Sequence, residues 1–277
     1  MTRKLLNHLV EGPGTAPALL LGPSLGTSYA LWDQVAPELS VTHRVVRWDL
    51  PGHGDSPAAV GAFTISDLTD GIVEHLKTLG VSRFLYAGVS IGGTVGLDLA
   101  LRYPDRVAAV ALISSGARVN SRAAWAERAA SVRGSGTESL VDGSLQRWFA
   151  PSTRELHPDR AERMLHALRD ADDESYAWAC EALADYDATA KLALVTPSVL
   201  ALWGQYDQLV PEEQSSQIAR SVRRGAIECV PNAAHTCPLE QPEAVAARLA
   251  TFFESVLPPG PDTGRRDAVG RLRPTCQ

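Results

Sequence analysis

The stretch FLYAGVSIGGTVGLDLALRY, residues 84–103, joins an apolar run to a helical pattern through a serine set among glycines. Residues 84–87 form a short apolar segment of the kind that makes a buried strand, and Ile91–Tyr103 carries a helix pattern. Between them lies Gly88-Val89-Ser90-Ile91-Gly92, a G-x-S-x-G turn in a strand–turn–helix context. A serine on so sharp a turn is backbone-strained, so its neighbours must be small, and Gly88 and Gly92 supply that. The helix beginning at Ile91 points its free N–H groups at the turn, where they favour a developing negative charge. Ser90 is therefore the candidate nucleophile.

Outward from this turn the same alternation continues. Apolar runs at Ala18–Leu21, Val45–Trp48, Val107–Ile113, Pro197–Trp203 and Ala226–Val230 read as strands, and Lys4–Val10 as an antiparallel edge strand. Helix patterns lie at Ala30–Leu39, Ile65–Leu79, Pro211–Val222 and Pro242–Val256. Strand–helix alternation with short connections predicts a mostly parallel sheet flanked by helices. The alternation breaks once. Residues 118–192 show only helical patterns and include Trp125, Trp148 and Trp178. A helical insertion between parallel strands falls on the ligand side of such a sheet, so this one reads as a lid. The expected organisation is a core of residues 1–117 and 193–257, a lid of 118–192, and a disordered Pro-, Gly- and Arg-rich tail of 258–277.

A serine hydroxyl needs a base, and the base needs an acid to orient it. His235 follows the last strand in Val230-Pro231-Asn232-Ala233-Ala234-His235, and Asp207 follows the strand before it in Gly204-Gln205-Tyr206-Asp207. The chain order Ser90, Asp207, His235 is that of the α/β-hydrolase fold. His53, in Pro51-Gly52-His53-Gly54-Asp55-Ser56, reads as a loop-structuring residue; His8, His43, His75, His157 and His166 read as surface or boundary residues. An oxyanion hole is expected from the backbone N–H of Ile91 and that of Leu25, in the loop Gly22-Pro23-Ser24-Leu25-Gly26-Thr27 after the first parallel strand.

The bulk composition narrows the partners. The 277 residues are 45 % apolar and 21 % charged with a net charge of −6, ordinary for a soluble domain and unsuited to non-specific binding of nucleic acid or anionic membrane. No apolar window is long enough to span a bilayer, and the start lacks a signal-peptide core. Cys180, Cys229, Cys237 and Cys276 match no zinc or disulfide spacing, which predicts reduced thiols, no metal and a cytoplasmic protein. No cofactor is called for.

With these residues placed, the sequence resembles the 3-oxoadipate enol-lactone hydrolases of aromatic catabolism, over roughly residues 15–256. RWDLPGHGDS, GVSIGGTVGLDLALRYPDRV and LWGQYDQLVP are shared by much of the α/β-hydrolase superfamily. More discriminating are SLGTSYALW, with Ser-Leu-Gly where His-Gly is common, and Trp125-Ala126-Glu127-Arg128, similar to that family's Trp-x-Glu-Arg stretch. Trp48 stands where Tyr is more usual, and the lid beyond Gly134 matches weakly. The resemblance implies a serine hydrolase of the β-ketoadipate pathway acting on a small carboxylated lactone. Such a substrate needs a cation. Ser121–Arg133 reads as a helix ended by Gly134, with Trp125 and Arg128 on one face, so Arg128, Trp125 and Ser24 are the candidate substrate-binding residues. A carboxylesterase, a carbon–carbon bond hydrolase or a cofactor-free haloperoxidase would share the same triad, and a hydrolase-fold receptor would share the pocket. A dehalogenase would need Asp at position 90.

Overall fold

Strands that are apolar without alternation belong in the middle of a parallel sheet, covered on both faces. That is how the chain folds in a computed structural model, which describes residues 6–257. The seven strands are β1 (His8–Glu11), β2 (Ala18–Gly22), β3 (Arg44–Trp48), β4 (Phe84–Val89), β5 (Val107–Ile113), β6 (Ser198–Gly204) and β7 (Gly225–Val230), in the order β1-β3-β2-β4-β5-β6-β7. All neighbours are parallel except β1, which pairs antiparallel with β3, His8 opposite Trp48. Every residue of β2 and β4 is buried, whereas β1 at the edge is not. The expected fold is thus borne out. Lys4 and the 258–277 tail lie outside the described residues.

Short helices α1 (Ala36–Leu39), α2 (Ile65–Thr78) and α3 (Ile91–Arg102) link the first strands. The insertion between β5 and β6 contains α4 (Arg122–Ser135), α5 (Val141–Trp148), α6 (Pro151–Leu156), α7 (Pro158–Arg169) and α8 (Asp173–Asp185). After β6 come α9 (Glu212–Ser221), then α10 (Cys237–Glu240) and α11 (Pro242–Val256) beyond β7.

Three local expectations change. The helix expected over Ala30–Leu39 is broken into a 3-10 turn at Tyr29–Trp32 and α1, because Pro37 sits in the first turn of α1 and cannot continue a helix from upstream. The helix carrying Trp125 and Arg128 ends at Gly136, not Gly134; Gly136 has φ 71°, the left-handed conformation that stops a helix, while Gly134 stays helical. His43 and His75 are buried rather than at the surface. His75 lies three residues after Ile72 on the apolar stripe of α2, its ring 4.3 Å from that of His8, and His43 packs against Phe253. No helix among the described residues is long and apolar enough to cross a membrane. Cys180 and Cys237 are free thiols, both buried.

Candidate active site

β4 delivers Ser90 to the top of the sheet. Its backbone is left-handed, φ 55° and ψ −116°, a conformation held by the surroundings rather than preferred by serine. The Ser90 N–H donates to the Ile113 carbonyl at 2.9 Å, and the Ser115 hydroxyl donates to the Ser90 carbonyl at 2.8 Å. The flanking glycines are sterically required. A Cβ on Gly88 would lie 2.4 Å from the Gly92 backbone, and one on Gly92 would lie 2.5 Å from the Pro23 carbonyl oxygen. That second approach is itself a bond: the Gly92 N–H donates to Pro23 at 3.1 Å, tying the serine turn to the loop that holds Leu25. The N–H groups of Leu25 and Ile91 donate no hydrogen bond among the described residues. Both remain available to an oxygen placed beside Ser90.

The turn after β6 presents Asp207 and the turn after β7 presents His235. His235 Nδ1 and Asp207 Oδ2 are 2.9 Å apart, and both side chains are buried. The other Asp207 oxygen accepts from the N–H groups of Leu209 and Val210 at 2.9 and 3.0 Å. Burial pushes the Asp207 carboxyl up, but the adjoining His235 and these N–H donors outweigh it and hold the group below its ordinary range. An ionised Asp207 fixes the proton on Nδ1, which leaves Nε2 as the acceptor. Ser90 and His235 line one cleft with Ser24 and Leu25. The cavity volume is about 60 Å³. At roughly 10–15 Å³ per water that is room for roughly four to six waters.

The insertion forms the opposite wall through Trp125, Arg128, Trp148 and Tyr176, with Val119 and Asn120 at its start. Trp125 is anchored by its indole N–H on the Val119 carbonyl at 2.5 Å. Arg128 is half-buried; its Nε donates to the Tyr176 hydroxyl at 2.9 Å, and its guanidinium lies over both the Trp125 and Tyr176 rings. Three other arginines of the insertion are already paired. Arg118 pairs with Asp187, Arg122 with Asp185, and Arg133 with Glu174 and Glu181. Arg128 makes no ion pair among the described residues, and it lines the cleft. Arg147 stands near enough that burial and the Arg128 charge hold its guanidinium below its ordinary value. Trp178 is half-buried and outside the cleft.

His53 does not reach the cleft. It is fully buried behind Tyr176, the two rings stacked at 6.0 Å, with Nδ1 on the Pro51 carbonyl at 2.9 Å. Sequence reading did not find Tyr176, Asn120, Leu209 and Val210 at the cleft, nor Glu240 beneath it. The last is a buried carboxylate in α10, between the His235 loop and the insertion. No group of three or more His, Cys, Asp or Glu among the described residues is arranged to hold a metal ion.

A family model described as alpha/beta hydrolase fold matches residues 17–242. A 3-oxoadipate enol-lactonase of Acinetobacter baylyi is 30 % identical over 239 residues, 86 % of this chain and 89 % of that one. A putative carbamate hydrolase, RutD, of Variovorax paradoxus is 30 % identical over 261 residues, covering 92 % and 98 %. Among solved structures, the enol-lactonase of Burkholderia xenovorans LB400 superposes with a TM-score of 0.87 at 31 % identity, over 90 % of this chain and 96 % of that one.

Proposed function

From the premise that this chain belongs to the α/β-hydrolase fold family, we propose that it is a serine hydrolase that opens 3-oxoadipate enol-lactone to 3-oxoadipate. The observation that carries the substrate is Arg128, a cation without an acid partner on the wall facing Ser90 and His235 in a small cleft. The helical insertion then serves as a cap.

Ser90 Oγ attacks the lactone carbonyl while His235 Nε2 takes its proton. The carbonyl oxygen gathers charge between the Leu25 and Ile91 N–H groups, and Asp207 steadies the imidazolium. Collapse breaks the ring C–O bond, and His235 returns the proton to the departing enol oxygen. The enol becomes a ketone, which disfavours re-closure. Water activated by His235 then releases the acid from Ser90. Arg128 binds the substrate carboxylate, Trp125 and Ser24 shape the space around it, and the reaction needs no metal or cofactor. This is chemistry of a cytoplasmic catabolic pathway.

Carboxylesterase and carbamate hydrolase chemistry would use the same serine. The test is a substrate panel of the enol-lactone, p-nitrophenyl acetate and a short carbamate acid with the wild type and Ser90→Ala. The expected result is a kcat/KM for the lactone at least about a hundred-fold above that for the neutral ester, and loss of both in Ser90→Ala by on the order of a million-fold in kcat. Preference for the ester or carbamate would replace the lactonase assignment.

A further inference from the structure

The loop that carries His235 is not held by the core alone. The Trp148 carbonyl, at the end of α5 in the cap, accepts from the N–H of His235 at 3.1 Å, the N–H of Thr236 at 3.2 Å and the Thr236 hydroxyl at 3.0 Å. Next to it, Glu240 divides its two oxygens between two parts of the molecule. Oε2 accepts from the Ala150 N–H at 2.6 Å and the Thr153 hydroxyl at 3.0 Å, both in the cap. Oε1 accepts from the Ala234 N–H at 2.9 Å and from the N–H and hydroxyl of Thr236, both at 3.2 Å. Ala234 and Thr236 are the residues on either side of His235.

The chemistry of this arrangement is one-sided. Every partner of Glu240 is a donor, so the site calls for a carboxylate that accepts on both oxygens. Burial pushes the carboxyl up, and the surrounding donors act against that. An amide in its place would turn its own N–H groups on donors at one side or the other. A carboxylate serving only to cap the single turn α10 would need the Thr236 contacts and not those to Ala150 and Thr153. The Trp148 indole lines the cleft with His235, so the same joint sets a pocket wall and the imidazole together.

We infer that Glu240 is a positioning residue for the general base, one that sets where His235 stands between Asp207 and Ser90 by tying its loop to the root of the cap. The inference rests on His235 being the base. It predicts that a lesion on the cap side of the joint, with no atom near the imidazole, is felt in the proton-transfer step.

The test uses the full chain, p-nitrophenyl acetate as a neutral substrate, and two variants, Glu240→Gln and Thr153→Val. The other titratable groups facing the loop, Asp207 and Cys237, and Arg160 on the Leu239 carbonyl, are unchanged in both. For Glu240→Gln, kcat falls about 10–100-fold, KM changes less than about three-fold, and the acid limb of kcat/KM moves by at least about half a pH unit. Thr153→Val moves kcat and the limb the same way by a smaller amount, about three-fold in kcat, the size of one weakened hydrogen bond. Variants that melt cooperatively and keep the wild-type kcat and acid limb would overturn the inference. If Glu240→Gln does not fold, Thr153→Val decides by the same two readouts. A His235→Ala enzyme that still turns over would instead remove the base assignment, whatever the two variants do.

Discussion

His53 offers a stability prediction whose size follows from its surroundings. The ring is fully buried behind Tyr176, Nδ1 must carry the hydrogen that it shares with the Pro51 carbonyl, and Nε2 has no partner. A second proton would have to sit on that buried, unpartnered nitrogen. Burial accordingly lowers the pKa from 6.5 to about 4, against smaller raising effects from the Pro51 carbonyl and Asp172. Because the folded value lies below the unfolded one, the unfolded chain binds a proton between these limits that the folded chain refuses. Stability from this group is therefore whole above pH 6.5 and falls as the pH drops toward 4. The loss amounts to about 2 kcal/mol at pH 5 and about 3 kcal/mol at pH 4. His53→Asn keeps an N–H donor near Nδ1 but cannot titrate. It should be less stable than the wild type at pH 7.5, by about 1–3 kcal/mol for the lost ring packing. Its stability should then decline less steeply with acid, the gap to wild type closing by about 2 kcal/mol at pH 5. Urea unfolding of both proteins at pH 7.5, 5 and 4 measures this directly. Two parallel pH profiles would show that His53 is protonated in the folded state, and the reasoning from its burial would fail.

Arg128→Met should lower kcat/KM for the carboxylated lactone about 10–100-fold, the worth of a charge-assisted contact, and leave p-nitrophenyl acetate within about two-fold; equal losses on both would place Arg128 outside substrate recognition. Asp207→Asn should keep its bonds to Leu209 and Val210 yet favour the wrong imidazole tautomer, so kcat should drop by about 10⁴ while the melting temperature moves little; retention of a tenth of the rate would reassign the acid. Gly92→Ala should cost either soluble expression or at least about a hundred-fold in kcat, since its Cβ meets backbone that bounds the oxyanion loop. Gly14→Ala, where a Cβ would meet nothing within 4 Å, is the control and should match wild type in both activity and melting.

What the sequence disclosed and what it withheld divide by the range of the interaction. The serine turn is local: strand, glycines and helix lie within twenty consecutive residues, and the steric need at Gly88 and Gly92 is written in that window. Asp207 and His235 are legible through chain order, since each follows one of the last two strands, β6 and β7, which lie in succession beyond β5 on one side of β4. Arg128 is pointed to by the Trp-x-Glu-Arg resemblance together with its helix spacing from Trp125, and both residues line the cleft. Tyr176 is not, because its bond to Arg128 spans 48 residues of sequence and leaves no pattern in either helix. Glu240 was hidden more completely. It sits among apolar neighbours in a one-turn helix too short to register a period, and its partners in the insertion, Ala150 and Thr153, are 90 and 87 residues upstream. The helix boundaries failed for a smaller reason: two glycines, Gly134 and Gly136, compete to end α4, and only the backbone conformation tells which one does.

The joint at Trp148 and Glu240 is one of several backbone-level fastenings between cap and core. The Asp172 N–H donates to the Gly52 carbonyl at 2.8 Å, the Ala59 N–H to the Ser175 hydroxyl at 2.9 Å, and the Ala188 N–H to the Ala117 carbonyl at 2.9 Å, where the two ends of the insertion meet. A roof fastened at its root, its far side and its base does not swing as a hinged body. Traffic to Ser90 then falls to the accessible side chains that line the cleft, the exposed Asn120 and the half-buried Leu209. Rotamer exchange at such positions runs in picoseconds to nanoseconds, against microseconds to milliseconds for a moving lid. Such a fastening predicts a kcat that does not change with solvent viscosity, the mark of turnover paced at Ser90 rather than at the door.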